Sequence, residues 1–161
     1  MPFVLFLYPT ASASFECENT ALDVGFVIPS IENVGSGSDY KAMIESVEKL
    51  VDQFNVVPTR YHFALVRYAA DAKLIFTLSD VVREKREQLS ENLNTTDANL
   101  GSDSYIYNAL QVACDSIFAM KINRESALDV IILITNKEPS EDDPVTKAYA
   151  LDILKVGETH Y

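Results

Sequence analysis

Oxygen-bearing side chains gather in three polar segments of the sequence, two of which directly follow apolar runs. These candidate residues are Ser30, Glu32, Asn33, Asp103, Ser104, Asn136 and Glu138. Carboxylate, hydroxyl and amide oxygens are the ligands that a hard divalent cation such as Mg²⁺ takes in proteins. The same groups can also contact a protein partner directly. The segments therefore predict either a cation site or a polar binding surface.

Other chemistries find less support. Of the two histidines, His62 lies inside an apolar strand pattern and His160 near the end of the chain, and neither stands beside a nucleophile that it could activate. The segment 35–38, Gly-Ser-Gly-Ser, lacks the glycine spacing and the Gly-Lys-Ser/Thr ending of phosphate loops. Cysteine and histidine are not spaced as metal ligands. We predict that the chain is not an enzyme.

The elements that position the polar segments can be predicted from periodicity. The apolar run 24–28, between Asp23 and Pro29, is typical of a strand covered on both faces. A polar loop follows, and then an amphipathic helix over about 38–54. The loop thus lies at the carboxyl end of a central strand, where open α/β sheets bind their ligands.

The rest of the chain continues the alternation of strands and helices. Strands are expected at 61–68, 73–78 and 129–135, and helices at about 79–89, 104–120 and 144–155. The link 69–72 is too short for a crossover helix, so strands 61–68 and 73–78 must form an antiparallel hairpin. The pattern predicts a three-layer α/β domain, a doubly wound and mostly parallel sheet with one antiparallel hairpin strand.

Composition limits the partners. The formal net charge is −11, which argues against nucleic acid and against anionic membrane surfaces. The hydrophobic content of 48% is enough for one domain with a sizeable core. No apolar run approaches the ~20 residues of a membrane span.

The N-terminus indicates export. Residues 1–14 combine an apolar run with Ala11-Ser12-Ala13, the small-x-small form of a cleavage site, and predict a signal peptide or its remnant, although the usual basic segment is missing. Residues 15–22 would be a linker. Asn94 begins a glycosylation sequon in a polar loop, in agreement with a secreted, extracellular protein. Cys114 is expected to be a small core residue, which would leave Cys17 to pair elsewhere.

Four segments in the same order resemble the von Willebrand factor type A (vWA) family. They are 23–35, the first strand and its loop; 64–72, a strand and hairpin turn; 104–110, where the family has Thr-x-Thr-Gly-x-Ala-Leu; and 130–136, where it has a strand ending in Thr-Asp-Gly. The resemblance implies a vWA-like domain over 23–161 in which the family's C-terminal strand and helix are missing. The edge of strand 129–135 is then expected to be partly uncovered.

The resemblance also bears on the cation. In the family, an Asp-x-Ser-x-Ser loop with a later Thr and Asp forms the metal-ion-dependent adhesion site (MIDAS). The matching positions here hold Pro29, Ile31, Asn33, Ser104 and Asn136. Only Ser104 keeps a hydroxyl, and both carboxylates are lost. This implies a degenerate MIDAS and no cofactor, with at most weak binding of Mg²⁺ or Ca²⁺ through Asn33, Ser104, Asn136, Glu32 and Asp103.

The sequence therefore predicts a non-catalytic extracellular binding module that needs no metal. Its partner would be a protein such as a matrix component or a receptor. The binding surface would comprise Ser30, Glu32, Asn33, Asp103, Ser104, Tyr105, Asn136 and Glu138. Tyr105 and Tyr107 are candidate contact aromatics, although either could instead pack inward. Two alternatives remain at this point, a metal-dependent adhesion domain with a relocated acidic cation site and a nucleotide-binding α/β enzyme.

Overall fold

The structure is a computed structural model that describes residues 3–7, 21–30, 37–53, 60–78, 105–118, 124 and 127–135. Within these residues the sheet has five strands in the order β1-β5-β2-β3-β4. The strands are β1 Phe3–Leu7, β2 Ala21–Pro29, β3 Tyr61–Tyr68, β4 Ala72–Phe76 and β5 Ala127–Thr135. The helices are α1 Gly37–Gln53 and α2 Ile106–Ala113, which continues into a π-helical turn, Cys114–Phe118.

The predicted mixed sheet is confirmed. β2 pairs in parallel with both β3 and β5, so it is the central strand of the parallel part. β3 and β4 form the predicted antiparallel hairpin, with Tyr68 opposite Ala72. The helices predicted at 79–89 and 144–155 lie outside the described residues. None of the helices in the described part is long and apolar enough to cross a membrane.

One face of the sheet packs against α1. Alternate residues of β2, such as Val24, Phe26 and Ile28, point to this face, as strand geometry requires. They meet the apolar stripe of α1, which recurs at three- and four-residue spacing. Its buried members are Tyr40, Met43, Ile44, Val47 and Val51. The rings of Phe26 and Phe63 stack here with centroids 5.9 Å apart.

The opposite face packs against α2 and its π-helical turn. Ile106, Leu110 and Ile117 are buried against residues of β2, β3 and β5 on this side. The contact is close at Gly25, where an added Cβ would come 3.1 Å from Cδ1 of Ile117 and 3.3 Å from Cζ of Phe118. Only a residue without a side chain lets the π-helical turn approach β2 this closely. The core therefore has two layers, one on each side of the sheet.

The outer edge of β5 corrects an expectation. The edge was expected to be partly uncovered, but β1 pairs with it antiparallel from Phe3 opposite Thr135 to Leu7 opposite Ile131. The apolar run 3–7, interpreted above as part of a signal peptide, is thus a strand in this chain. A leader segment and an edge strand share the same composition, so the pattern alone could not separate them. Cleavage after residue 14, and the boundaries of the linker, stay predictions.

Candidate functional site

The carboxyl ends of β2, β3 and β5 meet at one edge of the sheet, at Pro29, Tyr68 and Thr135. The backbone N–H of Ser30 donates to the carbonyl of Tyr68 at 2.8 Å and extends the ladder by one residue. We call the described residues at this edge the rim. It comprises Pro29, Ser30, Tyr68, Ala69, Ala70, Asp71, Tyr105 and Thr135. This is where the sequence predicted the binding surface.

The start of α2 is held against the β3–β4 hairpin. The N–H of Tyr105 donates to the carbonyl of Ala69 at 2.9 Å, and Nδ2 of Asn108 lies 3.4 Å from the carbonyl of Ala70. Tyr105 itself is extended and precedes the helix, and its side chain is 52% exposed. It is the one large apolar side chain that is exposed in the described part of the chain. The side chain of Tyr107 is half-buried.

Tyr68 links the two strands that flank β2. Its ring is fully buried, and its hydroxyl donates to the carbonyl of Ile134 on β5 at 3.2 Å. Since Tyr68 sits on β3, this bond spans the central strand. It stiffens the ends of β3 and β5 beneath the rim.

Ser30 is a rim residue that the sequence predicted, and it is 4% exposed. Its Oγ has no hydrogen-bond partner among the residues that the structure describes. A buried hydroxyl without a partner costs free energy. Its oxygen therefore remains an available acceptor beneath the rim.

Part of the donor set predicted for a metal ion lies within the described residues. Pro29, at the first of the family's liganding positions, ends β2 and has no side-chain oxygen. Within the described ranges no three His, Cys, Asp or Glu side chains gather as metal ligands. Of the five positions that match the family's ligands, Pro29 is the one that lies within the described residues. The other candidates, Glu32, Asn33, Asp103, Ser104, Asn136 and Glu138, lie outside the described residues, as do Ile31 and the sequon residue Asn94.

A charged residue that the sequence reasoning missed lies directly behind the rim. Arg67, the next-to-last residue of β3, is 1% exposed. Its guanidinium carbon lies 5.9 Å from the ring centroid of Tyr40, in the first turn of α1. The available signal was a cationic residue inside an otherwise apolar strand pattern.

A second charged cluster lies at the amino ends of the same strands. Asp23 is fully buried at the start of β2, and Oδ1 accepts hydrogen bonds from Nη2 of Arg124 at 2.6 Å and from Nε at 3.0 Å. Nδ1 of His62 lies 3.6 Å from the same oxygen. This carboxylate–histidine pair is buried and already bound by Arg124, at the edge of the sheet away from the rim. Its geometry indicates a structural role.

The thiol of Cys114 is half-buried in the π-helical turn and packs against the α2 side of the core. Burial, and then the negative charges of Asp115 and Asp129, raise the pKa of this thiol from 9.0 to about 11. The prediction of a core residue is therefore confirmed in part, since the side chain is packed but not fully enclosed. A thiol with so high a pKa is a poor nucleophile at neutral pH.

Solved structures with the same fold include proximal thread matrix protein 1 (PTMP1) from the mussel byssus. Two of its structures superpose with a TM-score of 0.70 at 18% and 19% identity, and cover 85% and 86% of this chain. A third, with a zinc-occupied MIDAS motif, gives a TM-score of 0.54 at 20% identity over 76% of the chain. This chain spans 36%, 35% and 29% of the length of those PTMP1 chains. At such low sequence identity, the superposition shows a shared fold and nothing about function.

The sequence itself matches a family model as well. The model is that of the von Willebrand factor type A domain, and the match extends over residues 23–156. It includes β2 from Asp23 onward, β3 to β5 and both described helices, in agreement with the mixed sheet and its two helical layers. The chain belongs to the von Willebrand factor type A domain family.

Proposed function

We propose that this chain is a non-catalytic, extracellular protein-binding module whose rim contacts a matrix component or a receptor without a bridging cation. The observation that carries the proposal is the exposure of Tyr105 at the carboxyl edge of the sheet. Tyrosine is enriched among the residues that dominate binding energy at protein interfaces. The backbone N–H of Tyr105 is already bonded to the carbonyl of Ala69, so binding a partner costs little further conformational entropy of this backbone.

The donor chemistry supports the absence of a bridging metal. Pro29 supplies no ligand at a position where the family supplies a carboxylate, and a hard cation needs such charge to offset its dehydration. The relationship to a matrix protein of the mussel byssus supports the matrix setting, at the level of fold. The sequon at Asn94 agrees with the same compartment.

The experiment measures binding of the full chain to immobilised extracellular matrix proteins by biolayer interferometry, in excess EDTA and then in Mg²⁺. We expect the same dissociation constant in both buffers. Tyr105→Ala should weaken binding by about tenfold or more, as loss of an interface anchor does. The control is Lys49→Ala, an exposed position of α1 beyond its first turns. Binding that EDTA abolishes, or that Tyr105→Ala leaves unchanged, would contradict the proposal.

A second candidate is metal-dependent binding through a relocated acidic site that includes Glu32, Asp103 and Ser104. Zinc at the MIDAS motif of PTMP1 favours testing it, because it shows a cation bound on the same fold. The test titrates Zn²⁺, Mg²⁺ and Mn²⁺ into the metal-stripped chain by calorimetry. Heat that is lost in both Glu32→Ala and Asp103→Ala would favour this candidate over the first.

A further inference from the structure

The place of Arg67 in the sheet bears directly on cation binding at the rim. In the parallel register of β2 and β3, Arg67 lies opposite Ile28, and Pro29 lies opposite the next residue, Tyr68. Arg67 shares the α1 face of β3 with Phe63 and Leu65, both of which pack in the core on that side. Its side chain therefore runs between the end of β3 and the first turn of α1.

The charge of Arg67 is permanent. A guanidinium keeps its proton at every pH at which proteins fold, even when buried. The ring of Tyr40, 5.9 Å from Cζ, offers the negative face of its π-system to this charge. Both side chains are more than nine-tenths buried, so water screens the charge little. A fixed positive charge thus lies immediately behind the residues that begin the β2–α1 connection.

A divalent cation at the position of Pro29 would meet this charge at close range. Adjacent strands are ~4.8 Å apart and successive residues ~3.3 Å apart, so the Cα atoms of Arg67 and Pro29 are ~6 Å apart, and a cation held at the end of β2 would be a near neighbour of the guanidinium. The repulsion between like charges at close range is substantial in a poorly screened site.

We infer that Arg67 is a specificity-determining residue of the rim, a built-in organic cation that excludes divalent metal ions from it. The inference rests on the proposed function, since it explains why a module of this fold would bind without a bridging cation. It also goes further, because it assigns the exclusion to a positive charge behind the site as well as to missing ligands. Restoring the ligands alone would then not restore the metal.

The experiment introduces the family's metal ligands of the first loop into two variants, one that keeps Arg67 and one that lacks its positive charge. One variant carries Pro29→Asp, Ile31→Ser and Asn33→Ser; a second carries the same changes together with Arg67→Gln. Calorimetric titration with Mg²⁺ and Mn²⁺ should show affinity at least about tenfold higher in the second variant, the size expected for removal of one poorly screened charge. Equal affinities, or no binding by either variant, would overturn the inference.

Two controls separate charge from structure. Lys73→Gln, in the ligand-restored background, removes a positive charge at the exposed residue that pairs with Arg67 across the hairpin, and should leave cation affinity unchanged. Arg67→Lys keeps the charge and should give no gain. A gain of the same size from Lys73→Gln would also overturn the inference. If Arg67→Gln fails to fold by circular dichroism, Arg67→Met preserves the aliphatic packing and carries the same test.

These measurements use cations and no protein partner. A failure here would leave the Tyr105-dependent binding of the unmodified chain untouched. Conversely, failure to bind matrix proteins would leave the effect of Arg67 on cation affinity to be measured in the same way. The two outcomes are therefore distinguishable.

Discussion

Arg124 binds Asp23 across 101 residues of sequence, with Nη2 at 2.6 Å and Nε at 3.0 Å from Oδ1. Its backbone N–H also reaches Oδ2 at 3.2 Å. The same Nη2 donates to the carbonyls of Leu22 at 3.0 Å and Arg60 at 3.1 Å. One side chain thus joins the segments that enter β2, β3 and β5.

We expect Arg124→Ala to lower the free energy of unfolding by ~3–5 kcal/mol, because it leaves the carboxylate of Asp23 buried without its cation. Urea unfolding followed by circular dichroism measures the change. The control is Glu45→Ala, which breaks an exposed pair with Lys41 at 4.0 Å and should cost less than ~0.5 kcal/mol. A loss below ~1 kcal/mol for Arg124→Ala would show that Asp23 finds other donors.

Gly25 and Gly37 form a matched pair for testing the packing of the π-helical turn on β2. Gly25→Ala should destabilise the chain by ~1–3 kcal/mol, because its Cβ meets Ile117 at 3.1 Å. Gly37→Ala places a methyl group where nothing lies within 4 Å, at the start of α1, and should be neutral or stabilising by up to ~1 kcal/mol. Thermal and urea unfolding measure both. Similar changes for the two variants would contradict the close contact at Gly25.

The reactivity of Cys114 should be low and should depend on pH. In a Cys17→Ser background, which leaves Cys114 as the remaining cysteine, alkylation by iodoacetamide at pH 8 should be about tenfold or more slower in the folded chain than in urea. The reason is the pKa of about 11, against 9.0 for an unperturbed thiol. Equal rates in the two states would contradict the burial of this thiol.

The raised pKa of the Cys114 thiol also makes the stability of the fold depend on pH. Because the pKa of the folded thiol lies above that of the unfolded chain, the folded state holds the proton more tightly. The stability that the protonated thiol of Cys114 contributes is therefore fully present below about pH 9 and is lost as the pH rises toward about 11. Cys114→Ala should flatten this part of the stability profile. A profile that falls equally in the variant would assign the loss to other groups.

The pairing of β1 with β5 can be tested in the chain that retains residues 1–14. Successive N–H groups of a strand point to opposite sides, so only one of Val4→Pro and Leu5→Pro removes a donor directed at β5. That variant should be less stable in urea and should self-associate by light scattering, because it uncovers the edge at Ile131–Thr135. The other variant serves as the control. Identical behaviour of the pair would contradict a paired β1.

The location of the rim could be predicted from the sequence, whereas its use as a binding surface stays a prediction. Its place at the carboxyl edge followed from the strand–loop–helix order, and Ser30 and Tyr105 lie there in the structure. The burial of Ser30 and the exposure of Tyr105 could not be predicted, since both depend on how segments far apart in the sequence pack together. The burial of Arg67 could not be predicted either, because a charged residue within a strand pattern carries no information on its depth.

Local patterns were sufficient for the parallel core and the hairpin. β3 runs over Tyr61–Tyr68 as predicted, and its alternate residues divide between the two core layers because successive side chains of a strand point to opposite faces. The short link after Tyr68 left no topology but the hairpin. These features depend on neighbours in sequence, whose geometry the backbone restricts directly.

Long-range contacts decided the rest. β1 pairs with residues at the other end of the described chain, and an apolar run of its length is equally compatible with a leader. Arg124 stands outside any periodic segment, and only the folded chain brings it to Asp23. The π-helical turn follows a helix whose apolar spacing continues without a break. In each case the deciding interaction joins residues far apart in sequence, so only their meeting in the folded sheet selects the conformation.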